Sequence, residues 1–396
     1  MEIIKEIEIK GFKSIENQTL NLGQLNIFIG TNGAGKSNFL EALAMISASA
    51  EGGIDYKKLS SRGARLSSPE ILRSSFRNVK RKNYFELAIK MQDFYYNFKL
   101  NTNKEYLSYF SEKLLKDNTK IAGRSRAGAT LFKESISKIT QNRSILSVIQ
   151  NYEGSHNRII NKLSEFAIFS PSTPILRGVA SDNSFQEPLG LYGGGLAKAL
   201  TDILNNNSRH ELQRFFSLLD WFQSIGVTDQ INTDIAPEQS ILGNILVTYK
   251  DKFMKKNFND LYAYDVSEGA LYILFVLVLL IHENTSDIFA VDNIDNTLNP
   301  GLVRELMNQM VDILKKHPEK QVFLTTHNPT ALDSIDLFDP NHRLFVVARN
   351  EAGKTEFKQI KPPQGTTKEE WEEKYYGLKL SEIWLSGAIG GLPKGF

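Results

Sequence analysis

Leu25-Asn26-Ile27-Phe28-Ile29-Gly30-Thr31-Asn32-Gly33-Ala34-Gly35-Lys36-Ser37-Asn38 is the stretch that decides the fold. Its first five residues are a short apolar run that predicts a buried strand. Residues 36 to about 47 read as a helix. Between them, residues 30–37 fit the eight-residue spacing G-x-x-x-x-G-K-S, in a strand–loop–helix context that disfavours a chance glycine turn. Glycines let backbone N–H groups converge on phosphate oxygens, and the helix start adds its positive end. In such a loop Lys36 neutralises the β- and γ-phosphates and the Ser37 hydroxyl binds Mg2+. Asn32, Gly33, Ala34, Gly35 and Asn38 complete the predicted nucleotide-contacting set.

Three further patterns lie downstream. Ile288-Phe289-Ala290-Val291-Asp292 predicts a second apolar strand delivering a carboxylate, so Asp292 is the expected Mg2+ partner of Ser37; taken alone it would be a turn residue. Residues 321–325 form the next apolar strand and end at Thr326-His327-Asn328-Pro329, with His327 either a γ-phosphate contact or a loop-capping or core histidine. A helix over 302–316 joins the two strands, which implies a βαβ crossover. Val266-Ser267-Glu268-Gly269 opens an apolar helix over 270–281, where Ser267 taken singly is an N-cap.

Composition narrows the function classes. The 396 residues exceed one average domain, and 41% apolar with 23% charged residues is ordinary for a globular chain. The balance of 47 basic and 45 acidic residues makes no whole-chain case for nucleic acid, but residues 51–150 hold 20 Lys and Arg against 9 Asp and Glu. The absence of cysteine removes disulfides, thiolate zinc sites and cysteine nucleophiles, and fits a reducing compartment. Residues 1–10 lack the apolar core of a signal peptide, and the run 270–281 is too short to cross a bilayer. A cytoplasmic location with no membrane contact is therefore expected.

The expected organisation is a discontinuous head over residues 1–50 and 160–349, a basic insertion over 51–159, and a C-terminal part over 350–396 with a hairpin end, a helix and an apolar tail. Strands are predicted at 2–9, 18–22, 166–169 and 241–249, and hairpins over 84–100 and 343–360. Helices are predicted at 106–116, 132–150, 195–205, 210–225 and 368–376. Two prolines within 170–177 predict a loop with no helix. Neither a heptad arm nor a nuclease constellation is present in the sequence.

Taken together, the loop at 30–37, the Ser267-Glu268-Gly269 helix start, the Asp292 strand and His327, preceded by Gly11-Phe12-Lys13-Ser14-Ile15, resemble an ABC-type AAA ATPase head of the RecF, SMC and Rad50 class. The resemblance covers residues 1–50 and 160–349. It implies an α/β fold: a P-loop ABC-ATPase head with a mixed β-sheet flanked by helices, a helical lobe and an α+β insertion. It also implies ATP and Mg2+ as cofactors, with Lys13 and Ser14 beside the nucleotide. In such ATPases Ser267, Glu268 and Gly269 of one subunit would close over ATP held by another, in a homodimer or a higher homo-oligomer built from dimers. The chain departs from the class at Asn293, where the catalytic glutamate usually stands. An amide orients water but accepts no proton, so hydrolysis is expected to be slow or to recruit Asp295, which reads equally as a turn-stabilising aspartate. Gln186 is the candidate for the glutamine loop.

The ending Leu380-Ser381-Glu382-Ile383-Trp384-Leu385-Ser386-Gly387-Ala388-Ile389-Gly390-Gly391-Leu392-Pro393 is similar to stand-alone ATPase subunits of bacterial anti-phage systems of the PARIS and Septu type. That similarity implies an ATP-controlled switch that senses a phage trigger protein and controls a separate nuclease or toxin effector. The rival expectation is a RecF-like DNA repair and recombination ATPase whose basic insertion binds DNA phosphates.

Overall fold

The computed structural model describes residues 2–390 apart from 78, 103–105, 137–138, 185–186, 207–209, 213–217 and 231–244. Gln186, the first four residues of the strand expected at 241–249 and the end of the apolar tail lie outside these described residues. The chain divides into two compact units, residues 1–168, 286–294 and 318–396 in one, and 169–285 and 295–317 in the other.

The first unit opens with β1 (Ile4–Phe12), β2 (Ile15–Asn21) and the fully buried β3 (Leu25–Ile29), which leads through the glycine loop into α1 (Lys36–Ala50). After α2 (Tyr56–Ser61) come β4 (Tyr84–Met91), β5 (Phe94–Thr102), β6 (Leu107–Lys116), β7 (Thr119–Ser125), β8 (Gly128–Leu131) and β9 (Glu134–Ile136). Because β4 pairs antiparallel with β1, these strands extend the amino-terminal pair into one eight-stranded sheet, ordered β2-β1-β4-β5-β6-β7-β8-β9. The helix expected at 106–116 is thus a strand, and among the described residues of 132–150 the helix is confined to α3 (Leu146–Ile149). Cross-strand pairing explains the outcome: β6 lies antiparallel to β5, and Phe110 stacks on Tyr84 at 6.2 Å, which outweighs a weak helix preference.

A buried polar network ties this sheet to the end of α1. The Ser49 hydroxyl bonds the Tyr96 and Tyr109 hydroxyls at 2.7 and 2.8 Å, and Glu112 accepts from Tyr96, Ser144 and Arg124. Burial pushes the Glu112 carboxyl up, with the Arg124 guanidinium opposing it. Every partner is satisfied, so the network fixes one packing of the helix on the sheet. The unit continues with α4 (Ser155–Ser164) and β10 (Ala167–Phe169).

The second unit contains α5 (Thr173–Leu176), α6 (Leu196–Asn205), a three-stranded sheet of β11 (Phe222–Thr228), β12 (Leu246–Asp251) and β13 (Asp260–Tyr262), and the helices α7 (Glu268–Ile281) and α8 (Pro300–Lys316). The segment 170–177 forms a short helix after all, because Pro174 stands in its first turn, where no intrahelical N–H is needed. Of the helix expected at 210–225, residues 210–212 are helical, 213–217 lie outside the described residues, and 222–225 are strand, held by pairing with β12. From Ala270 onward every residue of α7 is buried, as its unbroken apolar run requires.

The chain returns to the first unit with β14 (Ile288–Val291), β15 (Gln321–Thr326), β16 (His342–Arg349) and β17 (Thr355–Ile360). The second sheet runs β10-β14-β15-β3-β16-β17; β14, β15, β3 and β16 are parallel neighbours, and β17 closes it as an antiparallel hairpin. The mixed sheet and its βαβ link therefore match the expected fold class. Beyond it lie α9 (Lys368–Lys374), begun by a Thr367–Glu370 capping box, and α10 (Leu380–Leu385). No helix among the described residues is long and apolar enough to cross a membrane.

Candidate nucleotide-binding site

Three parallel strands end at one edge of the second sheet. Register sets Thr326 beside Ile29 and Leu324 beside Val291, so the residues that follow β3, β14 and β15 emerge together. This is the edge where open α/β sheets bind ligands. Behind it, Phe28 of β3 packs on Phe39 of α1 at 4.4 Å and on Phe345 of β16 at 5.0 Å, which fixes the strand and helix that flank the glycine loop.

The loop backbone approaches its neighbours closely. A Cβ at Gly30 would stand 2.1 Å from the Val347 carbonyl oxygen, and one at Gly35 2.2 Å from the Thr355 hydroxyl; Gly35 also has φ +113. Only glycine fits both places. Lys36, 6% exposed, turns its ammonium back into the loop, donating to the Gly30 and Thr31 carbonyls at 2.7 and 3.2 Å, and stands 3.4 Å from His327 Nδ1. An ammonium held there can meet phosphate oxygens as a point charge.

Ser37 Oγ donates to Asp292 Oδ2 at 3.1 Å. A hydroxyl and a carboxylate at this separation are hard oxygen donors suited to Mg2+, which takes one or two protein oxygens and fills its shell with phosphate and water. Thr325 was not singled out in the sequence, yet it positions this corner: its hydroxyl donates to Asp292 Oδ1 and accepts from the Asn293 N–H at 2.8 Å, while its carbonyl accepts from Ile294 N. Asn293 is held at φ +58, a left-handed conformation that asparagine tolerates better than most residues.

A second group braces the loop from the other side. Asn38 Nδ2 donates to Ser14 Oγ at 2.7 Å, Ser14 Oγ pairs with Thr355 Oγ1 at 2.7 Å, and Thr355 Oγ1 donates to the Ala34 carbonyl at 2.7 Å. Lys13, at φ +47, pairs with the buried Glu41, which also takes Arg65. Burial pulls the Lys13 ammonium below its ordinary range, with Glu41 opposing the shift. Thus Lys13, Ser14, Lys36, Ser37, Asn38, Asp292, Asn293 and His327 are brought together, and Asn32, Gly33, Ala34 and Gly35 form the loop between them. Glu41 and Thr355 were missed by the sequence reading, since a helix-interior glutamate and a strand-initial threonine carry no motif.

In the second unit Ser267 is the N-cap of α7, its hydroxyl accepting from Ala270 N at 3.4 Å. Ser267 and Glu268 are exposed and Gly269 is half-buried, where a Cβ would come within 3.3 Å of Leu298. Asp295 belongs to this unit and accepts at its carbonyl from Leu298 N at 3.3 Å, as a turn residue does.

Comparison with known proteins agrees with this picture. The chain is similar to an SmcHead solved bound to the C-winged helix domain of ScpA, at 14% identity and TM-score 0.56, over 90% of this chain and 97% of that one. It is also similar to the Smc head domain with an extended coiled coil bound to the C-terminal domain of ScpA from Pyrococcus furiosus, at 14% identity and TM-score 0.50, over 91% and 97%. Such identity speaks for the fold alone. The uncharacterized protein MJECL10 of Methanocaldococcus jannaschii is 49% identical over 51 residues, 13% of this chain, and the match spans only 23% of that protein's length. Residues 25–333 match the family described as "AAA domain, putative AbiEii toxin, Type IV TA system", and the chain belongs to that family of AAA-type ATPase domains.

Proposed function

We propose that this protein is an ATP-driven molecular switch of a bacterial anti-phage defence system. It binds ATP with Mg2+ at Gly30–Ser37, dimerises head to tail around the nucleotide, and controls a separately encoded nuclease or toxin effector. The observation that carries the nucleotide reading is the convergence of Lys36, Ser37, Asp292 and His327 at one sheet edge. Lys36 and His327 face the outer phosphates, and Ser37 and Asp292 hold the metal that supplies charge neutralisation there. The exposed start of α7 supports closure by Ser267 and Gly269 of a second copy, because a helix N-terminus reaches another subunit's phosphate only from an open surface. The defence setting is supported by the AbiEii toxin in the family's description and by the similarity of the ending to anti-phage ATPase subunits.

Hydrolysis is slow in this reading. Asn293 stands beside Asp292 without a proton-accepting carboxylate, so the protein dwells in its ATP-bound, partner-holding state. Sedimentation with and without Mg-ATP, alongside steady-state phosphate release, tests the switch. ATP-dependent dimers with turnover well below one per second are expected, following the loss of general-base help of about 10²–10⁴-fold. A protein that stays monomeric with bound ATP would contradict it.

A further inference from the structure

Within the first unit a cleft of about 870 Å³ opens beside the glycine loop, between the β1–β2 turn, the irregular segment around residues 65–81 and the β16–β17 turn. That volume lies in the range of small-ligand sites. Among the described residues six cations line it, Lys13, Arg65, Arg73, Arg77, Arg81 and Arg349, beside Ser14 and Asn38 of the group that braces the glycine loop. Against them stand Glu70 and Glu351 on the wall, and Glu41 beneath Lys13 and Arg65, so cations exceed acids by three.

Arg73 makes the case specific. Its side chain is 10% exposed; Nη1 donates to the Lys82 carbonyl at 3.0 Å and Nη2 stands 3.9 Å from Glu70, while Nε has no hydrogen-bond partner among the described residues. Burial and the like charge of Arg81 hold this guanidinium below its ordinary value. Crowding like charges in one cleft is unfavourable for packing alone, and an anion bound there offsets that repulsion. Five of the six cations are arginines, whose planar fork matches phosphate oxygens two at a time. The nucleoside end of an ATP held at Gly30–Ser37 is uncharged and would leave the excess uncompensated.

We propose that this cleft binds a second, phosphate-rich ligand, a free oligophosphate or the backbone of a nucleic-acid strand, and that its occupancy biases the ATP site. The coupling route is short. Arg65 donates to Asn38 Oδ1 at 3.0 Å, and Asn38 joins the Ser14–Thr355–Ala34 chain that braces the glycine loop. A phosphate that draws Arg65 toward the cleft loosens that brace. The coupling rests on the nucleotide reading of the loop; the binding does not.

The test uses the full chain, its Arg77→Glu/Arg81→Glu double variant, and Lys36→Ala, with two probes: a labelled single-stranded oligonucleotide and inorganic triphosphate. Arg77 and Arg81 are both exposed, so the fold should keep its melting temperature, and Arg77→Gln/Arg81→Gln serves as the milder form. Salt-steep binding of at least one probe is expected, about tenfold or more weaker in the double variant and retained in Lys36→Ala. Oligonucleotide binding that triphosphate fails to displace assigns a nucleic-acid strand, and triphosphate binding alone assigns a free oligophosphate. The parent's apparent ATP affinity should shift when the probe is present, by more than the direct competition at Gly30–Ser37 that triphosphate causes in the double variant as well; that excess should vanish in the double variant, whose ATP affinity without probe stays unchanged. The proposal is overturned if neither probe binds, if the double variant binds as the parent does, or if charge reversal alone weakens ATP binding, which would make the cleft part of the ATP site. Failure of the nucleotide reading would register separately, as ATP affinity indifferent to Lys36→Ala.

Discussion

Two helices of this chain begin at residues that sequence patterns mark for phosphate, and they begin in opposite ways. The start of α1 is walled in: Gly35 is packed against Thr355, no side chain caps the helix, and Lys36 is buried in its own loop. The start of α7 is open: Ser267 caps its own helix with its hydroxyl, and both it and Glu268 face solvent. A walled, uncapped start is a binding place that one chain completes by itself. A capped, exposed start acquires a ligand only when a second surface brings one, so the same helix physics yields a resident site in one unit and an interface candidate in the other.

Breaking the corner beside the first start should have the largest effect. Asn293→Glu restores a carboxylate where the class usually carries it, and if Asp295 is only a turn residue, phosphate release should rise by about 10²-fold or more. The same variant should lose about 1 kcal/mol of stability, because residue 293 sits at φ +58 and glutamate lacks asparagine's tolerance of that region. If Asp295 supplies the base, Asp295→Asn will depress turnover strongly and Asn293→Glu will change little. Steady-state assays and thermal melts of both variants separate the cases, and brisk parent turnover unaffected by either would defeat both.

The second start is sharpened by a pair of variants. Ser267→Asp keeps a good N-cap and so the stability, but places a negative charge where another copy's phosphate should arrive. Ser267→Arg loses the cap, at about 1 kcal/mol, and fills the same space. ATP-dependent association should fail in both while ATP binding by the single chain persists. Association that survives both substitutions leaves Ser267 as a cap and nothing more.

The brace is read through stability, not through turnover or association. Thr355→Val keeps the shape but strands the Ala34 carbonyl and leaves the Ser14 hydroxyl with Asn38 alone, which should cost about 1–3 kcal/mol of stability and loosen the glycine loop. A thermal melt equal to the parent's would show that the Ser14–Thr355–Ala34 chain carries no load.

Much of the mixed sheet was legible because its signals are local. An apolar run of five residues ending in glycine is enough for β3, and its helix follows from spacing alone. The long antiparallel sheet was not legible, because β4 joins β1 across more than seventy residues and no short window carries that pairing. The helix readings at 106–116 and 222–225 failed for the same reason: the strand state there depends on partners elsewhere in the chain. At the site, Lys36, Ser37 and Asp292 announce themselves by residue type and position. Thr325 and Thr355 do not, since their roles arise only when strand register sets a hydroxyl beside a carboxylate or a loop carbonyl. The left-handed backbone at Asn293 is equally invisible in sequence.

The central claim is that Gly30–Ser37 binds ATP through the Lys36 ammonium, and calorimetric titration of Mg-ATP into the parent and Lys36→Ala chains tests it most directly. Removing one charged donor to phosphate should weaken binding by about ten- to a hundredfold, the equivalent of 1.5–3 kcal/mol, while the unliganded chain still folds, less stable by about 1 kcal/mol for the loop carbonyls that Lys36 no longer meets. Equal affinities in the two chains would contradict the account.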